Sequence, residues 1–131
     1  MKKFNTSWRA SKRPGKQRKY AALAPLHLRR RFLSANLSKE LRKKYVKRSM
    51  PLRKGDVVRV MKGKFKKKTG KIITVNEKRL KVEIEGLQIK KQDGSKVNVR
   101  FNPSILQITE LNIEDKKRIL AKMKMEKENA S

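Results

Sequence analysis

The sequence predicts a mainly β protein: one small, closed antiparallel barrel, a basic extension with short helices before it and a terminal helix after it. Three observations carry this reading. Past Lys54 apolar residues recur at every second position, as Leu80, Val82 and Ile84 do against Lys81, Glu83 and Glu85. The runs are short, and turn signals separate them: "NEKR", Gly86, "QDGS" and "NPS". Before Lys54, Pro, Gly and basic residues leave too few apolar positions for a core of its own. The expected division is residues 1–50 as extension, 51–110 as barrel and 111–131 as helix and tail.

The extension opens on "SKRPGKQRKY", where Pro14, Gly15 and five basic residues predict an extended segment. In "APLHLRRRFLSA", Pro25 suits the first turn of a short helix, with Leu26, Leu28, Phe32 and Leu33 as an apolar edge. Ser38 is the expected N-cap of a second helix, in which Leu41, Tyr45 and Val46 recur at helical spacing until Pro51 stops the run. Both helices are too short to stand alone in water.

In the barrel, Val58 and Val60 alternate with Val57 and Arg59, and Ile73 and Val75 with Ile72 and Thr74. "LKVEIE", "LQIK", "KVNVRF" and "ILQIT" supply the remaining strands, and Asp93-Gly94 predicts a two-residue hairpin turn. Five or six such strands suit a small barrel whose interior is filled by side chains. In the tail, Asn112 is the expected N-cap of the terminal helix. Glu114 and Asp115 then fall in its first turn, and Ile113, Leu120 and Met123 on one side.

Charge points to the partner. The 131 residues carry 39 Lys+Arg against 11 Asp+Glu, a formal net charge of +28. Residues 1–54 hold 19 basic residues and one acid, Glu40, so most of the charge precedes the barrel. Self-repulsion on this scale calls for a polyanionic partner, and nucleic acid fits better than an anionic membrane, which would want an amphipathic helix with bulky apolar residues. The extension is therefore expected to be disordered when free and to fold on RNA. The chain lacks cysteine, which excludes disulfides and thiolate metal sites and fits a reducing compartment. No apolar run reaches membrane-spanning length, and no secretory signal is apparent. The acid-free, Arg-rich start is like a mitochondrial transit peptide, yet the basic character runs on past Arg48 with no junction.

The spacing Gly55-Asp56, Val58, Val60, Gly63, then Gly70, Ile73 and Val75 resembles the KOW motif, a strand, a basic glycine-bounded turn and a second strand. The motif belongs to SH3-like barrels in RNA-associated proteins. "KFNTSWRASKR", "LSKELRKKYVKRSMPLRKGD", "QDGSKVNVRFNPSILQITEL" and "DKKRILAKMK" extend the likeness over nearly the whole chain. The chain is similar to the large-subunit ribosomal protein family numbered 24 in bacteria and 26 in eukaryotes, in its archaeal/eukaryotic form. The resemblance implies binding to large-subunit rRNA early in assembly and a place beside the peptide exit tunnel. It also implies neighbouring large-subunit proteins as partners, proximity to targeting or translocation factors, and a cytoplasmic location in the ribosome, with nucleolar passage if eukaryotic. The family turn reads Gly-x-x-Lys-Gly-x-x-Gly; Gly63, Lys66 and Gly70 match it, and Lys67 stands at the middle glycine, where φ > 0 would carry strain. The bacterial form has a long projecting hairpin, whereas "QIKKQDGSKVNV" is tight, so a deep reach into the tunnel is not implied.

The residues give the same answer about mechanism. Gly63 and Gly70 bound a turn whose backbone can approach a phosphate, and Lys62, Lys64, Lys66, Lys67, Lys68 and Lys71 add point charges. RNA helices are read largely through shape, phosphates and 2′-hydroxyls, so lysines suffice. The competing reading is a solvated charge run that blocks aggregation. In the extension, Lys12, Arg13, Lys16, Arg18, Lys19, Arg29, Arg30, Arg31, Arg42, Lys43, Lys44, Lys47 and Arg48 are the candidate phosphate contacts. Trp8, Tyr20 and Phe65 divide between stacking on bases and packing, while Phe32 and Tyr45 are expected to anchor the helices on the barrel.

No catalytic constellation stands out, and neither a metal, a cofactor nor a small-molecule substrate is expected. His27 is alone and cannot build a zinc site. Asp56 reads as a turn carboxylate, Glu83 and Glu85 as solvent-facing, and the basic turn lacks the Gly-Lys-Ser/Thr ending of a nucleotide loop. A KOW-type transcription elongation or antitermination factor would need a further α/β domain that residues 1–53 do not supply. An architectural DNA binder would need wedge residues at its ribbon tip. A proline-peptide binder would need an aromatic groove, and the strands offer only Phe101.

Overall fold

The computed structural model describes residues 3–118. Thr6–Ala10 form a 3-10 turn capped by the Asn5 side chain, which accepts from the Ser7 N–H. Helices α1 (Pro14–Leu23), α2 (Leu26–Phe32) and α3 (Lys39–Tyr45) alternate with strands β1 (Ser34–Leu37) and β2 (Ser49–Pro51). Strands β3 (Val57–Val60), β4 (Thr69–Asn76), β5 (Lys81–Lys90), β6 (Lys96–Phe101) and β7 (Leu106–Glu110) follow, with a second 3-10 turn at Pro103–Ile105.

All seven strands form one sheet in the order β2-β1-β7-β3-β4-β5-β6. Only β1 and β7 run parallel, pairing Asn36 with Gln107 and Leu37 with Ile108. Met50 on β2 and Phe101 on β6, at the two ends of that order, belong to one buried cluster with Val58, Ile72, Ile84 and Ile108. A sheet whose end strands share a core must curl back on itself, so the domain is barrel-like. Among the described residues no hydrogen-bonded ladder joins β2 to β6.

The extension departs from its expected form in three ways. Ser11–Tyr20 is not extended: Pro14 opens α1, where its missing N–H costs nothing. The Gln17 amide donates to the carbonyls of Trp8, Arg9 and Ser11, and Tyr20 stacks on Phe4 at 5.3 Å. Pro25 is the N-cap of α2 rather than part of its first turn, and α3 ends at Val46 in the left-handed conformation, five residues before Pro51. Third, residues 33–52 contribute Leu33, Ala35, Leu37, Met50 and Leu52 to the core, and the boundary expected at residue 50 falls within β2. The period-two run Leu33, Ala35, Leu37 is short, and its partner β7 lies some seventy residues away, so local pattern hides it.

Two of the expected strands fuse. "LKVEIE" and "LQIK" are one strand, β5, in which Gly86 at φ +77 forms part of an irregularity between Glu83 and Gln88. A second bulge between Ile72 and Thr74 lets Ile72 bury fully while Val75 still packs against the core. The expected two-residue turn at Asp93-Gly94 is a three-residue loop, in which Gly94 N–H donates to Lys91 O and Lys91 N–H to Ser95 O. Asp93 accepts from the Ser95 hydroxyl and N–H, which hold its carboxyl below its ordinary value.

At the C-terminal side, Ser38 caps α3 as expected, accepting from Leu41 N–H. Asn112 does not open a helix there. It donates to Lys54 O and accepts from Glu114 N–H, while Asp115 accepts from Lys117 N–H, where the next helical turn starts. The rest of the expected terminal helix, with Leu120 and Met123, lies outside the described residues. Arg118 turns back into the fold and meets Asp56 in a buried ion pair.

Candidate nucleic-acid interface

The basic turn lies between β3 and β4. Lys67 N–H donates to Val60 O at 2.8 Å, and Val60 N–H donates to Lys68 O at 2.9 Å. That pattern is a bulge whose first residue adopts the left-handed conformation usually given to glycine, and Lys67 sits there at φ +69. Gly63 enters the turn at φ +89 with open space around its α-carbon. Gly70 is needed for another reason: a β-carbon there would lie 2.5 Å from the Ile84 side chain and 2.8 Å from Glu85 O. Its constraint comes from β5.

Phe65 anchors the turn. Its ring packs edge-on against Phe101, centroids 5.8 Å apart, and joins the rim of the core. With the aromatic turned inward, Lys62, Lys64, Lys66, Lys67, Lys68 and Lys71 are all exposed. Lys68 also lies over the Phe65 ring at 5.3 Å. Four ion pairs occur among the described residues, Arg30–Glu77, Arg53–Asp115, Arg100–Glu83 and Arg118–Asp56, and none involves the turn. Among the described residues no carboxylate compensates its charge.

The candidates in the extension fall into two further groups. On α1 and its approach, Lys12, Arg13, Arg18 and Lys19 are exposed and Lys16 is half-buried. Lys16 and Lys19 place their ammonium groups 5.2 and 4.7 Å from the centroid of Trp8, whose ring is half-buried. Tyr20 has little face left for a base, being 8% exposed between Phe4 and Phe32. Phe32, expected to anchor its helix on the barrel, instead packs on Tyr20 of α1. On and after α3, Lys43, Lys44 and Arg48 are exposed, while Arg42 and Lys47 are half-buried; Tyr45 is buried.

Two arginines have internal work. Arg29 donates to Ala24 O at 2.9 Å and to Ala22 O, so it closes the C-terminus of α1. Arg30 pairs with Glu77 at 3.2 Å, while Arg31 is exposed. No sequence signal marks the Arg29 cap, because the carbonyls it satisfies belong to the preceding helix. Exposed Arg59 and the adjacent Lys78 and Arg79 likewise stand outside the charge runs that mark the other candidates.

The chemistry on offer is cationic and hydrogen-bond donating. His27 is exposed, Glu83 is tied to Arg100, and Asp56 accepts from Arg53 N–H as a turn carboxylate should. Among the described residues no cluster of His, Asp or Glu could hold a metal ion, and no helix is long and apolar enough to cross a membrane.

A family profile described as ribosomal proteins L26 of eukaryotes and L24 of archaea matches residues 11–124. A protein of Korarchaeum cryptofilum (strain OPF8), the large ribosomal subunit protein uL24, is 44% identical over 108 residues, covering 82% of each chain. The match spans the basic turn, all seven strands and all but the first turn of the extension, and on it the chain belongs to the eukaryotic L26 and archaeal L24 family of ribosomal proteins.

Proposed function

We propose that this chain binds large-subunit rRNA through the basic turn and the two lysine-arginine groups of the extension. Family membership makes it a structural constituent of the large ribosomal subunit, in a family that is not one of enzymes. The finer reading is that it docks early in assembly and lies near the peptide exit tunnel, within reach of targeting or translocation factors.

One observation carries the rRNA reading: six exposed lysines between residues 62 and 71 on a loop pinned by Phe65, with no acidic partner among the described residues. A run serving solubility alone would not need a backbone strained at Lys67 or an aromatic anchor. Lysine side chains without base-reading groups suit an A-form helix, whose phosphates and 2′-hydroxyls are the accessible features.

The test is salt-dependent binding of the purified chain to large-subunit rRNA fragments, small-subunit rRNA and matched duplex DNA. Preferential binding to a discrete large-subunit fragment, with log K falling steeply against log salt, is expected. Equal affinity for all three polyanions would leave only a non-specific cation.

A further inference from the structure

The β5–β6 hairpin is two-faced along its whole length, yet the barrel covers only its base. On one face Glu83 pairs with Arg100 and Gln88 donates to Asn98, a polar ladder. On the other, the rungs run outward from the core: Val82 opposite Phe101, then Leu87 and Val99, then Ile89 opposite Val97. The inner residues are buried or packed on the core, whereas Ile89 and Val97 are 45% and 41% exposed. This outermost rung is the core face continued into solvent, beside an open groove of about 430 Å³.

We propose that this rung docks a segment of a neighbouring large-subunit protein, one that offers apolar side chains to Ile89 and Val97 and carboxylates to the lysines around them. Lys91 lines the groove beside the rung, Lys90 and Lys96 form the next rung on the polar face, and none of the three takes part in an ion pair among the described residues. Their charge selects an acidic partner. RNA would satisfy the lysines but not the rung, because branched aliphatics offer neither a hydrogen bond nor a flat face to a base. In a chain this rich in lysine, a β-branched pair directly opposed on an edge hairpin is the costly choice for solubility, since edges are ordinarily blunted with charge. Among the described residues β6 is also an end of the sheet, where an added strand could pair.

The inference rests on the chain's place in the large subunit, and the test separates it from the rRNA reading. The photoreactive residue p-benzoylphenylalanine is placed at Val97, at Ile89 from the facing strand, and at Lys66 in the basic turn, each in full-length chain assembled into large subunits. Irradiation should join the Val97 and Ile89 probes to one peptide of another large-subunit protein, containing both apolar and acidic residues, and Ile89→Lys should abolish the Val97 product. The Lys66 probe should reach rRNA. Products at Val97 and Ile89 that contain only rRNA or a second copy of this chain, or no product in subunits whose Lys66 probe reaches rRNA, would overturn the proposal. Loss of the Lys66 product alone would instead count against the rRNA reading.

Discussion

Lys67 and Gly94 occupy the same position in two bulges that share one hydrogen-bond pattern, closing loops of different length. Each donates its N–H across a hairpin to a residue, Val60 or Lys91, whose own N–H returns to the next residue, Lys68 or Ser95. Gly94 adopts φ +91 there, and Lys67 adopts φ +69. The chain uses glycine at the hairpin tip and tolerates a strained lysine in the basic turn, so charge at position 67 stands where conformational ease would favour glycine.

Lys67→Gly should therefore stabilise the protein by roughly 0.5–1 kcal/mol, the left-handed strain of a residue with a β-carbon less the extra entropy of the unfolded chain. It should also lower rRNA affinity and reduce the salt slope by about 0.7–0.9, the share of one phosphate contact. Urea denaturation and a salt titration check the two halves separately; a variant that gains neither stability nor a flatter slope argues against both.

Gly70 and Gly63 should resist substitution for different reasons. Gly70→Ala drives a methyl group into Ile84 and the Glu85 carbonyl, and should cost about 1–3 kcal/mol. Gly63→Ala meets open space and pays only for its positive φ, about 1–2 kcal/mol. Thermal denaturation of the two variants measures the difference.

Arg118 places both terminal nitrogens on Asp56 at 2.6 Å and also donates to Pro51 O and Asn112 O. Asp56 is fully buried and accepts from Arg53 and Asn112 N–H besides. Arg118→Met should cost about 3–5 kcal/mol, because it strands a buried carboxylate. Asp56→Ala should cost at least as much, since it also orphans two backbone donors. The double variant should fall well short of the sum of the two losses.

Asp115 supplies a pH signature. The Arg53 guanidinium, then the Lys117 N–H, hold its carboxyl below the ordinary 3.8. A lowered folded-state value means that its contribution is present above that ordinary value and is lost as pH falls through the folded one. A carboxyl NMR titration should place Asp115 below 3.8 in the native chain and return it toward that value in Arg53→Ala. An unchanged midpoint in the variant would remove Arg53 as the main cause.

Hydrogen exchange bears on how much of the extension folds without RNA. Residues 34–51 form two strands of the common sheet, so their paired amides should be protected in the free protein. Residues 5–32 form short helices whose ring contacts, Phe4–Tyr20 and Tyr20–Phe32, are made with one another rather than with the sheet, and their protection should rise on adding rRNA. High protection there without RNA would show that the extension is folded beforehand.

What is legible in the sequence follows the range of the interactions. Ser38 and the alternation of Val58, Val60, Val82 and Ile84 are local signals, and the strands and cap they predict are present. The basic turn is visible as a motif because glycines and lysines mark it directly. β1 is hidden because Leu37 meets Ile108 across the chain, and α1 because Phe4, Gln17 and Tyr20 outweigh a Pro-Gly pair. The Asp56–Arg118 pair spans 62 residues and has no spacing signature at all. At the site, composition marks the cations well, but not which are occupied: only geometry separates Arg29, closing a helix, from exposed Arg31.

The most direct measurement compares two charge-neutralised variants for binding to the preferred large-subunit rRNA fragment over a range of salt. Lys64→Gln/Lys66→Gln/Lys68→Gln removes charge from the pinned turn, and Lys90→Gln/Lys91→Gln/Lys96→Gln removes the same charge from the β5–β6 hairpin. The turn variant should flatten the slope by about two units or more while the hairpin variant leaves it within about half a unit. Equal flattening by both would mean that net charge alone binds the RNA, and that the turn is no interface.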